Sequence, residues 1–209
     1  MKNRAIQKPL GALRHLLLPM LLTVTLSACS RTVQWEEEVL LNTGETITVT
    51  KQVHYSIKGQ PGNPADLGYL PDRVETLSFQ YGAKSYVYKG EASIMVLAIS
   101  PRGMPVLLAP ASLGDWYYNN NYACVTPYYL QLVPDSTGRE WTWPDRIEPW
   151  TYNLPANLMF HRDHPSNVRR HYTMADKAKQ SYLQDPQLLD IQQINPQRKS
   201  PSGCFKYTE

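Results

Sequence analysis

The sequence predicts a mainly β protein: an antiparallel β-sandwich or barrel-like sheet with one short C-terminal helix and an irregular tail. Three observations predict it. From Thr46 onward apolar and polar residues alternate: Ile47, Val49, Val53 and Tyr55 share one parity, and Thr46, Thr48, Thr50, Gln52 and His54 the other. Period two with β-branched residues is the pattern of a half-buried strand. Several further short strand patterns follow, each bounded by turn residues. Strand and helix patterns do not alternate as they do in a doubly wound parallel sheet.

The elements follow in chain order. Val39-Leu40-Leu41 pairs with the strand after Thr46 across Asn42-Thr43-Gly44-Glu45. Lys51 is the one exception on that strand's apolar side. Residues 58–72, with three Pro and three Gly, read as a loop. Leu77, Phe79 and Tyr81 alternate, Gly82-Ala83 turns, and Tyr86-Val87-Tyr88 returns. Ile94 to Ile99 is apolar on both parities, which indicates a strand covered on both faces. Ser100-Pro101-Arg102-Gly103 turns it into Val106-Leu107-Leu108. Tyr128, Leu130 and Leu132 share parity with Cys124, and Pro134 to Gly138 turns toward Trp141-Thr142-Trp143. A helix is expected over 174–184, capped by Thr173 and stopped by Asp185-Pro186, with Met174, Ala178 and Tyr182 as a thin apolar stripe. Beyond Pro186 the chain is polar and expected to be irregular.

The N-terminus carries a separate signal. Lys2, Arg4, Lys8 and Arg14 precede an apolar run from Leu16 to Leu26, followed by the small residues Ser27 and Ala28. This is the pattern of an export signal. Leu16 to Ala28 as helix spans about 20 Å, short of the roughly 30 Å hydrocarbon core. The ending Leu26-Ser27-Ala28-Cys29 resembles the lipobox of bacterial lipoproteins. The resemblance implies that the Cys29 sulfur receives a diacylglyceryl group, that the signal is cut before it, and that the new amino group is acylated. Position 30 is Ser, not the Asp that resembles an inner-membrane retention signal, which favours the outer membrane, facing the periplasm.

Cleavage leaves 181 of the 209 residues, enough for one domain with an ordinary core. The expected division is a signal over 1–28, a short lipidated tether over 29–34, an antiparallel β domain over 35–160 and a helix-containing extension over 161–209. Four of the 21 Lys and Arg, and none of the 18 Asp and Glu, lie in the signal, so the mature chain holds 17 bases against 18 acids. That balance removes the electrostatic support for nucleic-acid binding. Cys124 and Cys204 are expected to form a disulfide in an oxidising compartment, the alternative being two separate thiols. Trp35 suits either a bilayer interface or a core.

Two segments are candidate sites. Trp116, Tyr117, Tyr118, Asn119 and Tyr122 lie in an aromatic, Asn-rich stretch, a composition that suits stacking on a glycan or seating a protein partner. His161, Asp163, His164 and the more distant His171 carry metal-ligand chemistry. Pro165 disfavours helix at His164, and on a strand His161 and His164 point to opposite faces, so only a loop brings them together. The chain has no G-x-S-x-G, H-E-x-x-H or C-x-x-C, and no cofactor is expected. The function expected from these readings is a lipid-anchored, non-enzymatic binding or assembly module of the envelope. The alternatives are a glycan-binding module and a metal-dependent hydrolase.

Overall fold

The computed structural model describes residues 30–60, 62–111, 126–144, 146–159, 165–180, 183 and 185–200. It is a two-sheet β-sandwich. The strands are β1 (Ser30–Leu40), β2 (Thr46–Gln60), β3 (Asn63–Tyr81), β4 (Lys84–Gly90), β5 (Val96–Ile99), β6 (Pro105–Pro110), β7 (Tyr129–Pro134), β8 (Trp141–Thr142) and β9 (His171–Tyr172). The larger sheet has the order β4-β3-β2-β1-β9 and the smaller β5-β6-β7-β8. All pairings are antiparallel except β1 with β9.

The alternation in β1 to β4 gives the larger sheet one apolar face. Val39, Val49, Leu77, Phe79, Tyr86 and Tyr88 on that face meet Ile94, Leu97, Leu107, Tyr128, Leu130 and Leu132 of the smaller sheet's side, forming the main core. The double apolar parity around β5 has the expected cause. Ile94, Leu97 and Ile99 enter this core, while Met95, Val96 and Ala98 enter a second one beneath Ile147 and Ile194. A third cluster, Val33, Trp35, Val53, Tyr55, Met159 and Tyr172, fills the end of the larger sheet where β1 begins. Trp35, 1% exposed, is a core residue there.

The two sheets are joined at their edges. The Trp141 indole donates to the Val87 carbonyl at 2.8 Å and packs edge-on against Tyr88. Asn42 and Asn157 pair their side-chain amides with the main chain of Ile99 and Leu97, covering the free edge of β5 as a neighbouring strand does. In the β7–β8 turn Gly138 has φ +77°, and a Cβ there lies 2.9 Å from Tyr86 Cδ1 and 3.0 Å from the Ser85 carbonyl. A left-handed non-glycine residue costs about 1–2 kcal/mol, so Gly138→Ala is expected to lower the melting temperature by several degrees, roughly 2–4 °C per kcal/mol at this size. An unchanged transition in a thermal melt contradicts that assignment.

The structure departs from the sequence reading in three places, in the ribbon, the tether and the length of the helix. Residues 58–60 and 63–72 are strand: β2 runs on to Gln60 and β3 begins at Asn63, the two paired as a ribbon. β4 stops opposite Glu75, so this part of β3 is an edge, where Pro71 is tolerated. Residues 30–34, expected as tether, are the first residues of β1, paired from Ser30↔Ser56. The helix expected over 174–184 is α1 (Met174–Lys177), started by a capping box between Thr173 and Asp176. After it the chain tightens to i→i−3 hydrogen bonds at Lys179 and Gln180. Ala178 of the expected stripe is exposed, so burial does not favour propagation. The tail beyond Pro186 is ordered over its described length. It contains α2 (Leu189–Gln192), buries Ile194, and pins Arg198 to the main chain of Tyr128.

Candidate functional site

Cys29, Cys124, Cys204, Trp116, Tyr117, Tyr118, Asn119, Tyr122, His161, Asp163 and His164 lie outside the described residues. His171 is described. It opens β9, is exposed, and holds its Nδ1 3.9 Å from Glu36 Oε2 across the parallel pairing. Among the described residues no group of three His, Cys, Asp or Glu side chains converges as a metal site does. Tyr128 and Arg198, the one four residues after Cys124 and the other six before Cys204, are in contact. Tyr128 N donates to the Arg198 carbonyl at 3.0 Å, and the Arg198 guanidinium donates to the Tyr128 carbonyl at 2.7 Å.

The densest charge is buried, and sequence reading found only one of its members. Glu37, Lys51 and Glu75 run diagonally across the inward face of β1, β2 and β3, at the boundary between the main core and the third cluster. Glu37 is fully buried and Lys51 is 2% exposed. Lys51 Nζ lies 3.5 Å from Glu75 Oε2 and donates to the Met159 carbonyl at 3.1 Å. Glu37 Oε2 accepts from Met159 N at 2.9 Å and from Lys177 Nζ at 3.1 Å. Lys177 also donates to the carbonyls of Glu38, at 2.5 Å, and Asn157. Burial pushes the Lys177 ammonium down from its ordinary value, and the Glu37 carboxylate opposes that shift. Two acids and two bases therefore clamp Met159, which leads into 160–164, against the larger sheet. Glu37, Lys51 and Lys177 are buried and only Glu75, 12% exposed, reaches toward solvent, which suits the quartet to holding strands together rather than turning over a substrate.

Beside this clamp lies an open, mostly polar cleft of about 330 Å³, lined by Met159, Asn167, Arg169, Tyr172, Asp176 and Lys179 among others. The main chain shapes it: Arg169 N donates to the Tyr172 hydroxyl at 2.9 Å, and the Arg169 guanidinium reaches Asp176 Oδ1 at 3.1 Å. Hydrogen bonds from the Thr173 amide and hydroxyl hold the Asp176 carboxyl below the usual carboxylate range. The cleft offers donors to a small polar group, and its one described carboxylate is already engaged by Arg169 and Thr173.

A second polar group stands on the outward face of the larger sheet. The Thr32 hydroxyl is 3.0 Å from His54 Nδ1, and His54 Nε2 is 3.7 Å from Asp72 Oδ2. The order hydroxyl–imidazole–carboxylate matches that of a nucleophilic triad. However, Asp72 also accepts from Ser56 at 2.9 Å and from Lys58 at 2.6 Å. The Lys58 hydrogen bond outweighs partial desolvation and, with that from Ser56, holds the Asp72 carboxyl below its ordinary value. His54 is 44% exposed on an open sheet surface, without the walls that exclude water from an acyl-transfer site. The group reads as a polar surface network at the base of the ribbon.

Compared with known proteins, the chain matches no protein family, no curated protein and no solved structure.

Proposed function

We propose that the chain is a lipid-anchored protein of the bacterial cell envelope. It is held through Cys29 in the outer membrane, faces the periplasm, and acts there as a non-enzymatic binding or assembly module. The observation that carries this reading is the junction of two features. The ending Leu26-Ser27-Ala28-Cys29 stands behind an export-type apolar run, and the very next residue, Ser30, is already in a sheet strand, paired to Ser56. A domain abutting its own lipidation point is held against the bilayer, which suits a protein that works at the membrane surface.

Two further observations support the reading. The buried ionic quartet organises the fold rather than opening to a substrate. Tyr128, four residues after Cys124, is hydrogen-bonded to Arg198, six residues before Cys204, and the reading includes a disulfide between these two cysteines formed after export. The test is intact-mass measurement of the protein extracted from native membranes. The expected species begins at Cys29 and carries a diacylglyceryl group and an N-acyl chain. A chain that retains the basic leader, or has an unmodified Cys29, overturns the reading.

A further inference from the structure

The β2–β3 ribbon outruns the rest of the fold. Among the described residues β1 pairs no further than Ser30↔Ser56 and β4 no further than Glu75↔Gly90, so beyond Ser56 the described ribbon is two-stranded. The inward face of the larger sheet continues along it. Tyr55 is buried in the third cluster; on the same parity follow Ile57, paired to Tyr69, and then Leu67, paired to Gly59. Among the described residues that face is only partly covered here: Tyr69 packs against the third cluster, while Ile57 is 38% exposed and Leu67 67%, the most exposed large hydrophobic. The opposite face carries the Ser56, Lys58 and Asp72 network. The ribbon is therefore amphipathic, and an isolated two-stranded ribbon is at best marginally stable in water.

Direction decides what meets it. β1 runs antiparallel to β2, so the N-terminal end of β1 points the same way as the ribbon tip. Ile57 to Gln60 extend past Ser30 by roughly 13 Å at about 3.3 Å per residue. A lipid on the residue before Ser30 leaves no tether to lift the domain away. With the strands steep to the bilayer and the N-terminal end of β1 facing it, the tip reaches the headgroup region, about 5–7 Å deep on each side of the hydrocarbon core. The free strand edges carry unpaired main-chain groups that need hydration, which keeps the ribbon at the interface rather than in the hydrocarbon.

We propose that the tip of the β2–β3 ribbon is a second membrane contact, with Ile57, Leu67 and Tyr69 resting on the acyl-chain boundary of the bilayer that holds Cys29. This rests on the lipid-anchored reading and adds an orientation to it. The apolar face lies against lipid, Tyr69 stands at the level where aromatic side chains suit the interface, and Lys58 and Asp72 stay on the aqueous side. The sandwich then stands with the β1–β2 turn, which contains Thr43, at its far end.

The test uses the full-length acylated protein reconstituted into vesicles of phosphatidylethanolamine and phosphatidylglycerol with brominated acyl chains. Leu67→Trp and Ile57→Trp introduce an indole on the ribbon, and Thr43→Trp introduces one at the opposite end. The expected result is a loss of introduced emission with brominated lipid for the two ribbon variants and none for Thr43→Trp. The mass of the same sample separates the two ideas. Acylated protein whose ribbon indoles are unquenched overturns the ribbon contact and leaves the anchor standing; unmodified Cys29 overturns both. Ribbon indoles unquenched in vesicles, yet shielded from aqueous iodide in native envelope membranes, identify a protein as the covering surface and overturn the assignment to lipid.

Discussion

Lys177→Met is expected to destabilise the domain by about 3–5 kcal/mol, the range for removing one member of a buried ion pair. Glu37 is fully buried, and among the described residues its Oε1 has no hydrogen-bond partner. Without Lys177 its charge keeps only the Met159 amide at 2.9 Å. In a domain of this size that loss lowers the melting temperature on the order of 10 °C. The double variant Glu37→Leu/Lys177→Met is expected to recover part of the loss, because it removes the stranded charge. Recovery is incomplete: Met159 N and the carbonyls of Glu38 and Asn157 lose the partners they have now, and an unsatisfied buried group costs roughly 1–3 kcal/mol. Urea titration of the parent, both single variants and the double variant gives the coupling directly. A single variant within about 1 kcal/mol of the parent contradicts the clamp.

The direction of the Lys177 shift adds a second readout. Its folded value lies below the ordinary lysine value of 10.5, mainly through burial. In the window between the two values the unfolded chain binds the proton more tightly than the folded one, so this group makes the fold more stable as pH rises and less stable as pH falls through that window. Lys177→Met is expected to remove that slope from the stability curve. A slope left intact means that another group produces it.

The quartet also shows where sequence reading stopped. The hairpins β1–β2, β3–β4 and β5–β6 were legible because local pairing, turn residues and alternation agree there. Lys51 was visible as a break in its strand's apolar parity. Glu37 breaks the parity of Val33, Trp35 and Val39, and Glu75 that of Leu77 and Phe79, so both were findable by the same rule applied to every strand. Lys177 was not legible. It reaches Glu37 from α1, 140 residues away in sequence, and no periodicity encodes that contact. The parallel pairing of β1 with β9 is hidden for the same reason. The ribbon was misread because Pro and Gly mark turns in the interior of a sheet, whereas beyond β1 and β4 the strands have free edges that accept them. The aromatic stretch 116–122 and the histidines at 161 and 164 fall outside the described residues, so the cleft beside Arg169 and the network at His54, neither predicted, are the polar groups whose geometry is described.

Removing the lipid is expected to have the largest effect on where the protein resides. Leu26→Ala together with Cys29→Ala replaces the lipobox with a small-residue ending of the kind cut by ordinary export. The chain is then expected in the soluble periplasmic fraction, correctly folded, since neither substitution touches a described residue of the sandwich. The magnitudes separate the roles of lipid and ribbon. Full burial of Ile57 and Leu67 contributes at most about 1.5–3 kcal/mol each, and Ile57 is already partly covered. A total near 5 kcal/mol corresponds to a dissociation constant of roughly 0.2 mM, too weak to survive fractionation. A single acyl chain binds only marginally, with an association constant of about 10⁴ M⁻¹, whereas two or more chains make release negligible. On the lipid-anchored reading the acyl chains decide residence and the ribbon orientation, so the acylated Leu67→Asp variant is expected to remain fully in the membrane fraction while losing its fixed attitude. Recovery of the unacylated chain with sedimented membranes contradicts this division of roles, and would show that a protein partner or the ribbon itself holds the domain far more strongly than its exposed apolar surface allows.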